Sequence, residues 1–527
     1  MSDESRLAQE RCKFQPSLPH SLKIGNMKVI AKEIPAVSSE IKKLFPYTYA
    51  QPIVELVEGK EHNRHLPLKV GVVLSGGQAP GGHNVIVGLY ETLKKLHSSS
   101  ELFGFVGGPA GIIDKRFKHL DRALVDQYRN SGGFDLIGSG RTKIESEEQI
   151  AASLQTVQSM KLDGIVIIGG DDSNTNAAVL AEYFLEHGCT TRVIGVPKTI
   201  DGDLKNEYVE TSFGFDTAAK VYAELIGNIC RDALSARKYY HFVRLMGRSA
   251  SHITLECALQ THPNFTVIGE EVAAKNLTLS QVITAMVDLI VKRAAADKNF
   301  GVVLIPEGLL EFVPEIKQLL RELNAGKTLS KQTQQTYDFL PKEIQEQLMM
   351  DRDPHGNVQL SHIATEKLIV HLVREGLHKR KEYNGKFNAV THFFGYEGRC
   401  SFPSNFDSNY CFALGAVAAS LIDSRQTGYM CAIQNLAGST ESWRPGGIPI
   451  TMLMHIEERK GKQKPVIEKA LVDLEGTPYQ TLLSQRSLWG FEERYRFPGP
   501  IQLFGPEEIC NEVSITLELE QKVKVSK

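Results

Sequence analysis

The stretches GIVIIGGDDSN (residues 164–174) and RVIGVPKTIDGD (residues 192–203) decide how this chain is read. Each is a short apolar run that ends in a small acidic loop, the pattern of a buried strand running into a turn. The two loops hold four carboxylates, Asp171, Asp172, Asp201 and Asp203, where one ligand could meet them all. Like charges packed together take up protons unless cations accompany them. Lys198 is built into the second loop, and a divalent metal is the other source of positive charge. The combination points to phosphoryl-transfer chemistry.

Working outward, further short apolar runs at 70–74, 103–106, 242–245, 266–269, 302–305 and 390–394 alternate with longer amphipathic segments. Such alternation predicts an α/β fold of βα units in mostly parallel sheets, with ligands beyond the carboxyl ends of the strands. Residues 1–67 lack a phosphate-type loop and read as an N-terminal extension packed on the body or on a partner. Residues 68–210 form a first α/β domain and 211–308 the first part of a second. Residues 309–385 turn charged and helix-periodic, with Gly326, Pro341 and a DPHG turn at Asp353 as punctuation, and read as a helical insertion. Residues 386–527 complete the second domain and return to the core.

The chain has 527 residues, with 60 basic against 62 acidic side chains and a net charge of -2. The whole-chain field therefore favours neither nucleic acid nor an acidic membrane surface, and anion binding must come from local loops. Basic stretches such as 378–381 carry no interleaved aromatics and read as solvated surface. The eight cysteines lie far apart with no C-x-x-C pair, which predicts reduced thiols. The start, MSDESRLAQERC, has no apolar secretory core, and the apolar stretch 412–422 is too short to span a bilayer. These features predict a soluble, cytoplasmic protein.

Three loops carry the chemistry. SGGQAPGGHN (75–84) follows the first apolar run, and its glycines let the backbone come close to an anion at the start of the next helix. Neither the G-x-G-x-x-G fingerprint nor the Walker sequence is present, which weighs against nicotinamide and P-loop readings. GGDDSN offers a carboxylate for Mg2+, which prefers one or two carboxylates plus phosphate oxygens. PKTIDGD offers Asp201 as a base for a substrate hydroxyl and Lys198 as a mobile point charge for phosphate. His83 reads as a loop residue rather than a ligand or base.

In order and spacing, SGGQAPGGHN, GGDDSNTNA, PKTIDGDL, FVRLMGR, PEG and GYEGR resemble the phosphofructokinase family, and within it the long pyrophosphate-dependent branch. The resemblance runs from about Val70 to Arg399. It implies two Rossmann-like units, the first binding pyrophosphate and Mg2+ and the second the sugar phosphate. Asp171 then looks like the metal carboxylate, Asp201 the base for the sugar C1 hydroxyl, and Asp203 a supporting acid.

ATP-using relatives have Gly at the positions matching Asp172 and Lys198. Here Asp172 would exclude a nucleotide's α-phosphate, while Lys198 would neutralise the leaving group and the phosphoryl in flight. Gly77 and Arg141 resemble further donor-phosphate contacts. On the acceptor side Thr199, Ile200, Met246, Gly247, Arg248, Glu307, Glu397, Gly398 and Arg399 resemble the contacts to fructose 6-phosphate. Tyr396 stands where ATP-using relatives usually have His, as in the pyrophosphate branch. Lys238 and Tyr239 match residues that the family donates across a subunit boundary, which implies a homodimer or larger oligomer with shared sites. The products would be fructose 1,6-bisphosphate and phosphate. The rival readings are a regulatory, non-catalytic subunit, opposed by the complete acid and lysine set, and an ATP-dependent enzyme, opposed by Asp172 with Lys198.

Overall fold

Runs that are apolar at every position, rather than at alternate ones, become strands covered on both faces. In the computed structural model, which describes residues 6–23, 27–34, 36–59, 65–326, 328–350, 358, 363–459, 462–501 and 512–525, the runs around 70, 165 and 194 do this. The DPHG turn at Asp353 and Cys510 lie outside those residues.

In chain order the strands are β1 (Met27–Ala31), β2 (Val54–Glu58), β3 (Lys69–Ser75), β4 (Glu101–Phe105), β5 (Phe117–His119), β6 (Ser139–Gly140), β7 (Gly164–Gly169), β8 (Arg192–Thr199) and β9 (Phe213–Gly214). They continue as β10 (Tyr240–Leu245), β11 (Phe265–Thr266), β12 (Gly301–Pro306), β13 (Ala389–Phe394), β14 (Tyr429–Gln434) and β15 (Arg444–Pro449), followed by a hairpin of β16 (Met454–Arg459) and β17 (Lys462–Ile467).

Two sheets carry the fold. The larger runs β1-β2-β15-β14-β8-β7-β3-β4-β5, with the short β6 and β9 attached to β3 and β8. Its centre, from β14 to β4, is parallel, in the register Val72↔Val166 and Val166↔Ile194. Antiparallel strands finish both edges, β1, β2 and β15 on one side and β5 on the other. The smaller sheet, β11-β12-β10-β13, is parallel throughout. The expected pair of parallel α/β units is thus the observed architecture.

Residues 27–58 extend the first sheet rather than standing apart from it, and residues 429–449 insert between them and β8. Of the segment after residue 386, only β13 belongs to the second sheet. Between β12 and β13 the chain forms helices including Pro314–Asn324, Lys331–Phe339, Lys342–Met349 and Thr365–His378, which pack into the apolar core of the second unit. Buried Arg244 of β10 pairs with Glu366 at 2.8 Å and lies over the Phe393 ring, fixing that layer to the sheet. The run 266–269 is less of a strand than its composition suggests. β11 ends at Thr266, and Gly269–Ala274 is helical, with Glu270 and Glu271 favouring a helix start there.

The helices Gly82–Leu96 and Asn405–Asp423 join the start of the fold to its return. They meet backbone to backbone. A Cβ on Gly88 would fall 2.0 Å from the Phe412 carbonyl oxygen, and one on Gly415 would fall 2.1 Å from that of Val85. Among the described residues, no helix is long and apolar enough to cross a membrane, and the described cysteines are free thiols.

Gly415→Val should therefore force the two helices apart and lower stability by about 1–3 kcal/mol or more, as overpacking of a tight core does. Urea unfolding followed by circular dichroism measures this. An unchanged midpoint would show that the crossing has slack.

Candidate active site

The carboxyl ends of β3, β7 and β8 face those of β10, β12 and β13 across one cleft of about 400 Å³. Each wall follows from local sequence. Gly170 follows β7 and is the N-cap of the helix Asp171–Glu186, so Asp171 and Asp172 occupy its first turn, where the helix dipole favours negative charge. Asn174 fastens that turn, donating from Nδ2 to the carbonyls of Gly169 at 2.7 Å and Gly170 at 2.9 Å. Ser173 Oγ donates to Ser75 Oγ at 2.8 Å and ties the acidic turn to the glycine loop. After β8, the Asp201 amide donates to Thr199 Oγ1 at 3.1 Å, which holds the Thr-Ile-Asp turn in place.

On the glycine loop, Lys198 Nζ donates to the Gly77 carbonyl at 2.6 Å. Arg399, from the opposite sheet, donates from Nε to the Gln78 carbonyl at 3.4 Å. A Cβ on Gly77 would fall 1.6 Å from Arg399 Nη2, so a side chain there would displace the guanidinium from the position in which it reaches across the cleft. Arg399 also stands 5.6 Å from the ring centre of exposed Tyr396.

The second wall is built around Glu307. Its Oε2 accepts from the Gly247 amide at 3.2 Å, while its Oε1 is buried without a hydrogen-bond partner among the described residues. A buried, unpartnered carboxylate oxygen is costly, and a ligand hydroxyl aimed at it removes the cost.

The electrostatics follow from crowding. Burial, then Asp203 and Glu307, push the Asp201 carboxyl up to about 7. Burial likewise raises Asp171, against the pull of Lys469. Burial and the neighbouring Arg399 bring Lys198 down to about 8. Burial alone would lower Lys469, but Asp171, Asp203 and Asp201 outweigh it and hold the ammonium charged. Asp172, more exposed than Asp171 or Asp203, pairs with Lys143 at 3.0 Å.

Of the residues singled out from the sequence, Gly77, Arg141, Asp171, Asp172, Lys198, Thr199, Ile200, Asp201, Met246, Arg248, Glu307, Tyr396 and Arg399 line this one cleft. Gly247, Glu397 and Gly398 support it from behind. Glu397 Oε2 accepts from the Gly395 amide at 3.0 Å, and Gly398 packs on the Tyr222 ring. Lys238 and Tyr239 precede β10, at the end of the strand away from the cleft, and are not brought into it. His83 is buried, 2.8 Å from Ser131 Oγ through Nδ1, and faces away from this chemistry.

Two cations of the cleft carry no motif of their own. Lys143 lies two residues after Arg141, a proximity that could have marked it. Lys469 follows the β16–β17 hairpin in the plain stretch Val466-Ile467-Glu468-Lys469, with nothing local to mark it.

Among the described residues, no three or more acids, histidines or cysteines form a ready cage for a metal. Asp171 Oδ2 and Asp203 Oδ2 nevertheless converge on one cationic point, at 3.8 and 3.5 Å from Lys469 Nζ. Two carboxylates facing one point suit Mg2+, which takes its other ligands from water and phosphate oxygens.

The sequence model of the family described as Phosphofructokinase matches residues 69–422. The chain is 51% identical to the pyrophosphate–fructose 6-phosphate 1-phosphotransferase of Porphyromonas gingivalis, over 98% of this chain and 99% of that protein. It is 54% identical to the subunit beta 2 of the enzyme of that name from Arabidopsis thaliana, over 91% of this chain and 88% of that one. The crystal structure of a pyrophosphate-dependent phosphofructokinase from Marinobacter aquaeolei superposes with a TM-score of 0.55, over 81% of this chain and 93% of that one. At 16% identity that likeness concerns the fold alone.

The Lys198 amine should titrate near 8 instead of its ordinary 10.5, fully charged below that pH and increasingly neutral above it. Amine acylation across a pH series, read at Lys198 by peptide mass spectrometry, checks this. A midpoint at the ordinary value would show that the amine is solvated.

Proposed function

The chain belongs to the phosphofructokinase family, and from that membership we propose that it transfers a phosphoryl group from pyrophosphate to the C1 hydroxyl of fructose 6-phosphate. The products are fructose 1,6-bisphosphate and phosphate. The observation that carries this reading is the meeting of Asp201, Lys198 and Asp172 in one cleft of a chain about half identical, from end to end, to enzymes bearing that name.

Asp201 accepts the C1 hydroxyl proton as that oxygen bonds to the terminal phosphorus, and the bond from phosphorus to the leaving phosphate breaks. A carboxyl held near neutrality by its neighbours suits a base that must both take up and return a proton. Lys198 and Arg141 offset charge on the transferring and leaving phosphates. The unpartnered Glu307 Oε1 supports a role as acceptor for a sugar hydroxyl, with Arg248 and Arg399 toward the 6-phosphate. Asp171, helped by Asp203, would hold Mg2+, which when bound draws charge from the phosphate oxygens. Because Asp172 is paired with Lys143, its exclusion of a longer nucleotide donor rests more on volume than on charge.

Pyrophosphate and the sugar bisphosphate are close in transfer potential, so the reaction runs in both directions. Lys238 and Tyr239, away from their own cleft, suit donation to a neighbouring copy's site and hence a homodimer or larger oligomer. The free thiols agree with a cytoplasmic location.

Purified protein assayed with Mg2+ should phosphorylate fructose 6-phosphate from pyrophosphate and not from ATP. Activity with ATP alone would overturn the donor, and activation of an added related chain by an inactive protein would favour a regulatory subunit. Asp201→Asn should lower kcat by a factor of about 10² to 10⁴, the contribution of a positioned general base. An unchanged kcat would remove Asp201 from that role.

A further inference from the structure

The segment after β17 is fixed on both sides of the cleft. The Ala470 amide donates to the Asp203 carbonyl at 2.8 Å, and the Ala470 carbonyl lies 3.0 Å from His252 Nε2. The Val472 amide donates to Glu270 Oε1 at 3.1 Å. The backbone at residue 469 is thereby held against the first unit's acidic loop and the second unit's helices together.

Its side chain is not held so closely. Lys469 Nζ lies 3.5 Å from Asp203 Oδ2 and 3.8 Å from Asp171 Oδ2, and donates to Ser249 Oγ at 3.1 Å, with 35% of the side chain exposed. Both ion pairs are longer than a direct charge-assisted hydrogen bond, so the ammonium stands between the carboxylates rather than on either. Among the described residues no other Lys or Arg comes within 4.0 Å of those two carboxylates.

We propose that Lys469 is a binding residue for the diphosphate donor, its ammonium passing from the Asp171–Asp203 pair to a phosphate oxygen when the donor enters with its metal. The inference rests on the donor being diphosphate. Asp171 and Asp203 converge on the point that a divalent cation would take, and a divalent cation and an ammonium repel each other there. A compact charge on a four-carbon stem moves a few ångströms by rotamer change alone, while the pinned backbone keeps it in the cleft. The incoming anion, more highly charged than a carboxylate, is the stronger partner within that reach. Lys198 and Lys469 then approach the donor from opposite loops, one anchored at Gly77 and the other at Ser249.

The test is isothermal titration calorimetry of the full chain in its native assembly, with methylenediphosphonate and Mg2+ as probe. Lys469→Met should weaken diphosphonate binding by about tenfold or more, the scale of a lost charge-assisted hydrogen bond. Fructose 6-phosphate binding should be unchanged, and Lys469→Arg should recover part of the loss. Wild-type diphosphonate affinity in Lys469→Met overturns the proposal, as does an equal loss of sugar-phosphate binding. Should the variants fail to fold, reductive methylation of the wild-type protein decides. Diphosphonate should protect Lys469, and equal labelling with and without it overturns the assignment. A wild-type protein that binds ATP but not diphosphonate is a separate outcome, which sinks the donor reading itself.

Discussion

Asp171, Asp172, Asp201, Asp203 and Glu307 share one cleft, and the mutual repulsion of these five carboxylates is the constraint that the charges around it answer. Burial and mutual repulsion raise both Asp171 and Asp201, so the site stays charged only where cations stand close. The cations come from separate parts of the chain. Lys198 extends from β8, Lys143 from the loop after β6, Arg399 from the turn after β13, and Lys469 from beyond the final hairpin. No single loop supplies this balance. It exists because two parallel sheets present their carboxyl ends to each other.

That confrontation depends on how the chain returns. After β13 leaves the second sheet, the helix Asn405–Asp423 lies against Gly82–Leu96, and Gly88 and Gly415 allow the backbones to touch. Buried Asp407, near the helix start, accepts from the amides of Gly214 at 3.1 Å and Thr217 at 2.9 Å, binding the return to the head of the helix Phe215–Ala236. The chain then adds β14 beside β8, pairing at Ile194 and Gly195 a few residues before the Thr-Ile-Asp turn. The scaffold of Asp201 is therefore completed by residues more than two hundred positions away in sequence.

Legibility followed the range of the signal. Strands such as β7 and β8 were readable because each holds an unbroken apolar run, 164–169 in one and 193–197 in the other, that leads into an acidic turn. The short β11 was overread, since the helix start at Gly269 depends on two glutamates outside the apolar run. Asp171, Lys198 and Asp201 were legible because each sits in a turn whose composition is unusual. Lys469 was not, because a lysine after Val-Ile-Glu looks the same on a solvated surface as in a cleft. Lys238 and Tyr239 came forward by resemblance alone, and their chemistry has no partner within this chain's own cleft.

By itself the sequence determined the α/β class, the strands that bear the site, and the acid and lysine set of the two central loops. All of these are written in local periodicity and turn chemistry, which act over a few residues. Only the tertiary structure decided which charges neutralise which: Asp172 with Lys143, Asp171 and Asp203 with Lys469, and Arg399 reaching over Gly77. Ion pairing depends on distance in space, and that distance is set by the packing of the two sheets and the returning helix, which no short stretch of sequence contains.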